Sequence, residues 1–171
     1  MRFSQAISEG DGISLIVEVA DADAAHAAAA DGAEAVIVRT ALRADVDLPV
    51  LWRGSPHAAD AAAAGADAWV VSVATAADGG ESHELDRVVE VSNAEELELA
   101  LEQFDPEIVL FSVPVDDDDA DAVQLALDLL ADLPAGKLAI AEVPVAGRGH
   151  VDELERAGVD GVIVGDAVPT A

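Results

Sequence analysis

Eight short runs of Val, Ile, Leu and Ala follow one another through 171 residues, each ending in small or polar residues and most followed by an Ala/Leu/Glu-rich stretch. Parallel strands need crossover helices, and strands buried on both faces read as near-continuous apolar runs. The alternation therefore favours α/β architecture over an antiparallel sandwich, and eight units favour closure into a minimal (β/α)8 TIM barrel. An open doubly wound sheet is the structural alternative, but no G-x-G-x-x-G follows the first run to support nucleotide binding. A barrel matters for function because its site must lie at the C-terminal strand ends.

The predicted strands are Ile13–Ala20, Ala35–Arg39, Pro49–Arg53, Ala68–Ala74, Val88–Val91, Ile108–Val113, Leu138–Val143 and Gly161–Val164. Asp21 and Asn93 stand where N-caps belong, Gly32 closes the helix DADAAHAAAA, and Ser55 with Pro56 reads as N-cap and first helical residue of the next one. Connections after strands 2, 4 and 8 are too short for full helices, so apolar strand faces should be exposed there unless loops or a homo-oligomer cover them. Residues 1–12 read as an N-terminal segment preceding a single barrel domain, 13–171. The acidic run Asp116–Asp119 reads as a solvated helix start, where negative charge suits the macrodipole, and not as a metal site.

Composition bounds the partners. The formal charge is −27, from 35 acidic and 8 basic residues with Lys137 as the single lysine. Such a surface repels nucleic acid and anionic membranes. It resembles the surfaces of halophilic proteins, for which near-molar salt screens the self-repulsion. Without cysteine there is neither a disulfide framework nor a thiolate site. No apolar run approaches the roughly 20 residues that span a bilayer, and MRFSQAISEGDG lacks a signal core, so a cytoplasmic location is expected. His26, His57, His83 and His150 show no ligand spacing, and neither metal nor cofactor is expected. Trp52, next to Arg53, should point the opposite way on an alternating strand and pack under a helix, as should Trp69.

VVEVSNAEELELALEQFDPEIVLFSV and LAIAEVPVAGRGHVDELERAGVDGVIVGDAV resemble the second half of indole-3-glycerol phosphate synthase, a ribulose-phosphate-binding TIM barrel of tryptophan biosynthesis. LIVEVA, LPVLWRG and AAAAGADAWVV resemble its first, third and fourth strand regions more faintly, so the likeness covers most of residues 13–168. The resemblance implies that Glu18, Glu90 and Glu142 occupy charged active-site positions on strands 1, 5 and 7. It puts Arg53 where the family has its catalytic lysine on strand 3. Each interior layer of such a barrel draws its side chains from alternate strands, so these four should share one layer: one guanidinium facing three carboxylates. Such a layer is expected to raise at least one carboxyl pKa or recruit a cation. An Arg–Glu network that simply fills the barrel is the plainer reading.

Gly147, Arg148, Gly149 and Gly165 follow strands 7 and 8, where such barrels hold phosphate on backbone N–H groups. Departures from the family are large. Ala20 stands for the lysine after the strand-1 Glu, and Arg53 stays protonated at any accessible pH, so it cannot donate a proton. Ser112 and Pro114 replace an Asn and an Arg, and Val143-Pro144 replaces Ser-Gly. The expected protein is a divergent synthase-like barrel that binds a small phosphorylated or carboxylated metabolite without the family's catalytic lysines. The alternatives are an active lyase or isomerase using Glu acid/base chemistry, and a non-catalytic scaffold or partner subunit.

Overall fold

A computed structural model describes residues 3–8, 12–41, 47–55, 57–75, 85–112, 119–142 and 148–164; for 119–123, 148 and 150 it describes the backbone alone. The strands are β1 (Ser14–Glu18), β2 (Ala35–Val38), β3 (Val50–Trp52), β4 (Ala68–Ser72), β5 (Asp86–Val91), β6 (Ile108–Ser112), β7 (Leu138–Glu142) and β8 (Gly161–Val164). All pair in parallel with their sequence neighbours, and β8 pairs with β1 to close the barrel. Helix α1 (Phe3–Ser8) precedes β1, while α2 (Ala22–Ala30), α3 (Ala58–Ala63), α4 (Ala94–Gln103), α5 (Asp119–Ala131) and α6 (Arg148–Ala157) follow β1, β3, β5, β6 and β7. Eight parallel strands and their crossovers are thus where the apolar runs place them.

Tracing the registers once round from Glu18, through Ile37, Leu51, Ala68 and Asp86, returns to β1 eight residues nearer the N-terminus. That stagger is the shear of a (β/α)8 barrel, and it fixes the interior layers. Ala35, Ala68, Ile108 and Gly161 form one layer, Ile16, Leu51, Val88 and Ile140 the next, and Ile37, Val70, Leu110 and Ile163 a third. The side chains of these layers are buried together in one interior cluster. The fourth layer, towards the C-terminal mouth, is Glu18, Arg53, Glu90 and Glu142.

The opposite end is stoppered by α1. Phe3 and Ile7 are buried, 0% and 2% exposed, in the same cluster as the barrel interior. The Ser4 N–H donates to Asp86 Oδ2 at the foot of β5, 2.8 Å away. No periodicity in the first dozen residues announces so short a helix.

A repeated joint returns the chain from helix to strand. Gly65 and Gly158 sit at φ +77° and +105°, and the residues after them, Ala66 and Val159, donate back to Ala61 and Leu154. This is the Schellman closure of α3 and α6, and it needs a residue tolerant of the left-handed region. The acid that follows then clasps the preceding strand: Asp67 Oδ2 accepts from Val50 N at 2.8 Å, and Asp160 Oδ2 from Ala139 N at 2.9 Å. Burial raises the Asp160 carboxyl pKa above its ordinary value against the pull of that hydrogen bond. The Gly-Ala-Asp and Gly-Val-Asp pieces therefore have a structural role at the N-terminal face.

Asp21 and Asn93 cap α2 and α4, accepting from Ala24 N at 2.8 Å and Glu96 N at 2.9 Å. Ser55 does not cap α3. That helix begins at Ala58 after His57, which makes no side-chain cap, and the Ser55 hydroxyl is drawn instead to the Asp60 carboxylate at 2.5 Å. Pro56 lies outside the described residues.

The strand faces expected to be exposed unless loops or an oligomer cover them are buried within the chain. No helix lies between β2 and β3 or between β4 and β5 among the described residues, yet Val36, Val38, Trp69, Val71, Val162 and Val164 are all at most 4% exposed. Val38, Trp52 and Trp69 are successive register partners on the outer surface, so two large rings lie side by side across this flank. Neither indole N–H has a partner among the described residues.

Candidate functional site

Glu18 and Glu142 end β1 and β7, Glu90 is the last residue but one of β5, and Arg53 follows the last residue of β3, its own N–H extending the ladder to Val38 O at 2.8 Å. Alternation from the buried Ile16, Leu51, Val88 and Ile140 turns all four towards the barrel axis, as a shared layer requires. Two of them then part company with expectation.

Arg53 grips two of the carboxylates. Its Nη1 and Nη2 make a bidentate fork on Glu142, and Nη2 also donates to Glu90 Oε1 at 2.8 Å. The Ser112 hydroxyl adds a bond to Glu142 Oε1 at 2.9 Å. These side chains are well shielded, at 13% exposure for Arg53, 26% for Glu90 and 28% for Glu142. Because Nη2 touches an oxygen of each glutamate at 2.8 Å, those oxygens lie no more than about 5.6 Å apart, a repulsion that only the guanidinium between them offsets.

Glu18 does not reach Arg53. It pairs with Arg39, whose Nε donates to Glu18 Oε1 at 2.8 Å in an open setting where the two side chains are 59% and 40% exposed. A second guanidinium therefore corrects the picture of one arginine facing three acids, and among the described residues the formal balance of this group becomes −1 in place of −2. Arg39 was legible as the last residue of the second apolar run, two places beyond inward-facing Ile37. It begins the next layer out, contributed by even strands, together with Ser72 and Ser112. Ser72 is occupied locally, its N–H donating to Thr75 Oγ1 at 3.0 Å.

The expected raised carboxyl is also corrected for Glu142. Burial works to raise its pKa, but Arg53's hydrogen bonds and charge, the Ser112 hydroxyl and the charge of Arg39 hold it below the usual range. Burial likewise works to lower the Arg53 pKa, and the hydrogen bonds and charges of Glu142 and Glu90 raise it regardless. The Arg53–Glu142 pair therefore stays fully ionised at neutral pH, and neither member is a proton donor there.

The expected phosphate cradle falls largely outside the description. Gly147 and Gly165 lie beyond the described residues, Arg148 is the first residue of α6, and Gly149 in its first turn is exposed with open space where a Cβ would stand. Asp116–Asp118 also lie outside, with Asp119 opening α5. His26 and His57 are exposed, His83 is outside, and His150 lies in α6. Among the described residues no group of three or more His, Cys, Asp or Glu could hold a metal ion, and no helix is long and apolar enough to cross a membrane.

A closed, eight-stranded parallel barrel with α-helical crossovers and charged side chains gathered at its C-terminal mouth is a (β/α)8 TIM barrel. Two solved barrels bear this out: N-acetylmannosamine-6-phosphate 2-epimerase from Clostridium perfringens (TM-score 0.67, 15% identity, 91% of this chain and 87% of that one) and phosphoenolpyruvate phosphomutase from Streptomyces platensis subsp. rosaceus (TM-score 0.70, 13% identity, 95% and 79%). Identities this low establish the fold alone. In sequence the chain is a distant homologue of indole-3-glycerol phosphate synthase, being 33% identical over 138 residues to that of Variovorax paradoxus. The match takes in 73% of this chain and about half (51%) of the synthase. No family model matches the chain.

Proposed function

We propose that this protein is a divergent barrel of the indole-3-glycerol phosphate synthase type that captures a small phosphorylated or carboxylated metabolite at its mouth and has lost ammonium-dependent ring closure. The observation that carries this reading is the locked Arg53. At the position where the resemblance puts a catalytic lysine stands a guanidinium with three hydrogen bonds to two glutamates, in a pair held ionised from both sides. General acid chemistry needs a group that can release its proton near the working pH, and arginine cannot. Ala20 leaves the strand-1 lysine position without an amine as well.

A second reading, a lyase or isomerase using glutamate acid/base chemistry, rests on Glu90. One of its oxygens takes the single bond from Arg53, and the other has no partner among the described residues. Isothermal titration with ribulose 5-phosphate and indoleglycerol phosphate in 2 M KCl, followed by single-turnover assays, separates the two. Binding without turnover supports capture; turnover abolished by Glu90→Gln supports the enzyme; no heat with either compound overturns both.

A further inference from the structure

The two arginines of the mouth differ in what each can offer a ligand. Arg53 is shielded and committed, with three donors on two carboxylates that would be left facing each other if it moved. Arg39 is committed through Nε alone among the described residues, to a carboxylate that is itself 40% exposed. An exposed ion pair of this kind contributes little in water, so exchanging one anion for another on Arg39 meets no large barrier. The backbone beneath it is nonetheless fixed. Gly54 passes so close that a Cβ there would stand 2.7 Å from the Arg39 carbonyl oxygen, and Arg53 N–H bonds the residue before Arg39. Its charge also reaches inward, being among the influences that lower the Glu142 pKa.

We propose that Arg39 is the anion-receiving residue of the mouth, and that it trades its contact with Glu18 for the phosphate or carboxylate of a hydroxylated metabolite. The inference rests on the capture reading above and adds its recognition chemistry. The free face of the guanidinium presents the Nη donors in the fork geometry that suits two oxygens of one anion. Among the described residues the site carries three carboxylates against two guanidiniums, and this local excess of negative charge opposes a bare anion. A ligand with hydroxyl groups offsets this, because the Glu18 carboxylate oxygens released from Arg39 and the open oxygen of Glu90 accept from O–H donors. The class expected is therefore a polyhydroxylated phosphate or carboxylate, in preference to the anion alone. Arg53 remains a fixed bolt under the bound molecule.

Isothermal titration in 2 M KCl of ribulose 5-phosphate, glycerol 3-phosphate and inorganic phosphate into the wild type, Arg39→Gln, Arg39→Lys and Glu18→Gln tests this. The wild type is expected to bind ribulose 5-phosphate at least ~10-fold more tightly than inorganic phosphate, roughly the worth of one hydroxyl hydrogen bond to a carboxylate. Arg39→Gln should weaken ribulose 5-phosphate by ~10-fold or more, Arg39→Lys by less. Glu18→Gln, which frees the fork but removes the anionic acceptor, should narrow the preference for ribulose 5-phosphate over inorganic phosphate. Wild-type binding that Arg39→Gln leaves unchanged, with circular dichroism showing an intact fold, overturns the role of Arg39 while sparing the capture reading. Inorganic phosphate binding as tightly as ribulose 5-phosphate overturns the hydroxylated class, and silence of the wild type towards all three overturns both readings together.

Discussion

Replacing Arg53 by Met keeps the aliphatic stem and removes the charge, and the structure gives the cost a size. Three charge-assisted hydrogen bonds disappear, and Glu90 and Glu142 are left within about 5.6 Å of each other with no cation between them. Breaking a buried ion pair by deleting one partner costs ~3–5 kcal/mol; with both carboxylates about a quarter exposed the lower end applies, near ~3 kcal/mol. For a chain of 171 residues this corresponds to a fall in Tm of roughly 6–12 °C. The loss depends on pH in a defined direction. In the wild type the depressed Glu142 pKa contributes stability that is present above the ordinary carboxylate range and is lost as pH falls through the folded value. In Arg53→Met the repelling pair binds a proton more readily, so the gap between variant and wild type should be widest near neutrality and close on acidification. Adding Glu90→Gln and Glu142→Gln to Arg53→Met should recover at least half of the lost Tm, since the penalty is unpaired charge and not lost volume. Thermal melts by far-UV circular dichroism at pH 4.5 and 7.5 in 2 M KCl provide the readout. A variant within 2 °C of wild type at pH 7.5, or a triple variant no more stable than the single one, refutes the account of Arg53 as the clamp of two carboxylates.

Asp160→Asn keeps an oxygen for Ala139 N–H and removes the burial penalty on the charge. Because the folded pKa is raised, ionisation of Asp160 opposes folding, so the Asn variant should show a higher urea midpoint at pH 7 and lose this advantage below the ordinary carboxylate range; Asp160→Ala should be less stable than either. Phe3→Ala empties the stopper of the barrel foot and should cost ~3–5 kcal/mol, measured as a lower urea midpoint without change in the folded far-UV spectrum. With a net charge of −27, the Tm of the wild type should rise steeply between 0.1 and 2 M KCl; a Tm insensitive to salt over that range would show that self-repulsion is not what limits stability.

The barrel was legible because its strands are buried on both faces, so each announces itself as an unbroken β-branched run, and because registers follow once eight units close with a fixed stagger. The layer of Glu18, Arg53, Glu90 and Glu142 was legible because the resemblance put the four on strands 1, 3, 5 and 7, and alternate strands of such a barrel share an interior layer. Who pairs with whom was not. Glu18 and Arg39 sit on neighbouring strands in different layers, and only the lateral offset between β1 and β2, invisible in a linear pattern, brings them together. Helix α1 escaped notice because six residues give too few turns for a period to show. Ser55 misled because a serine before proline satisfies the N-cap rule locally, while the Asp60 carboxylate offers its hydroxyl a stronger acceptor.

The chain contains two tryptophans, and both lie on the single flank where Val38, Trp52 and Trp69 adjoin. Intrinsic emission from this protein is consequently a local gauge. It reports the wetting of β3 and β4, so a fluorescence transition that precedes the dichroism transition during urea unfolding would mark this side as the first stave of the barrel to loosen.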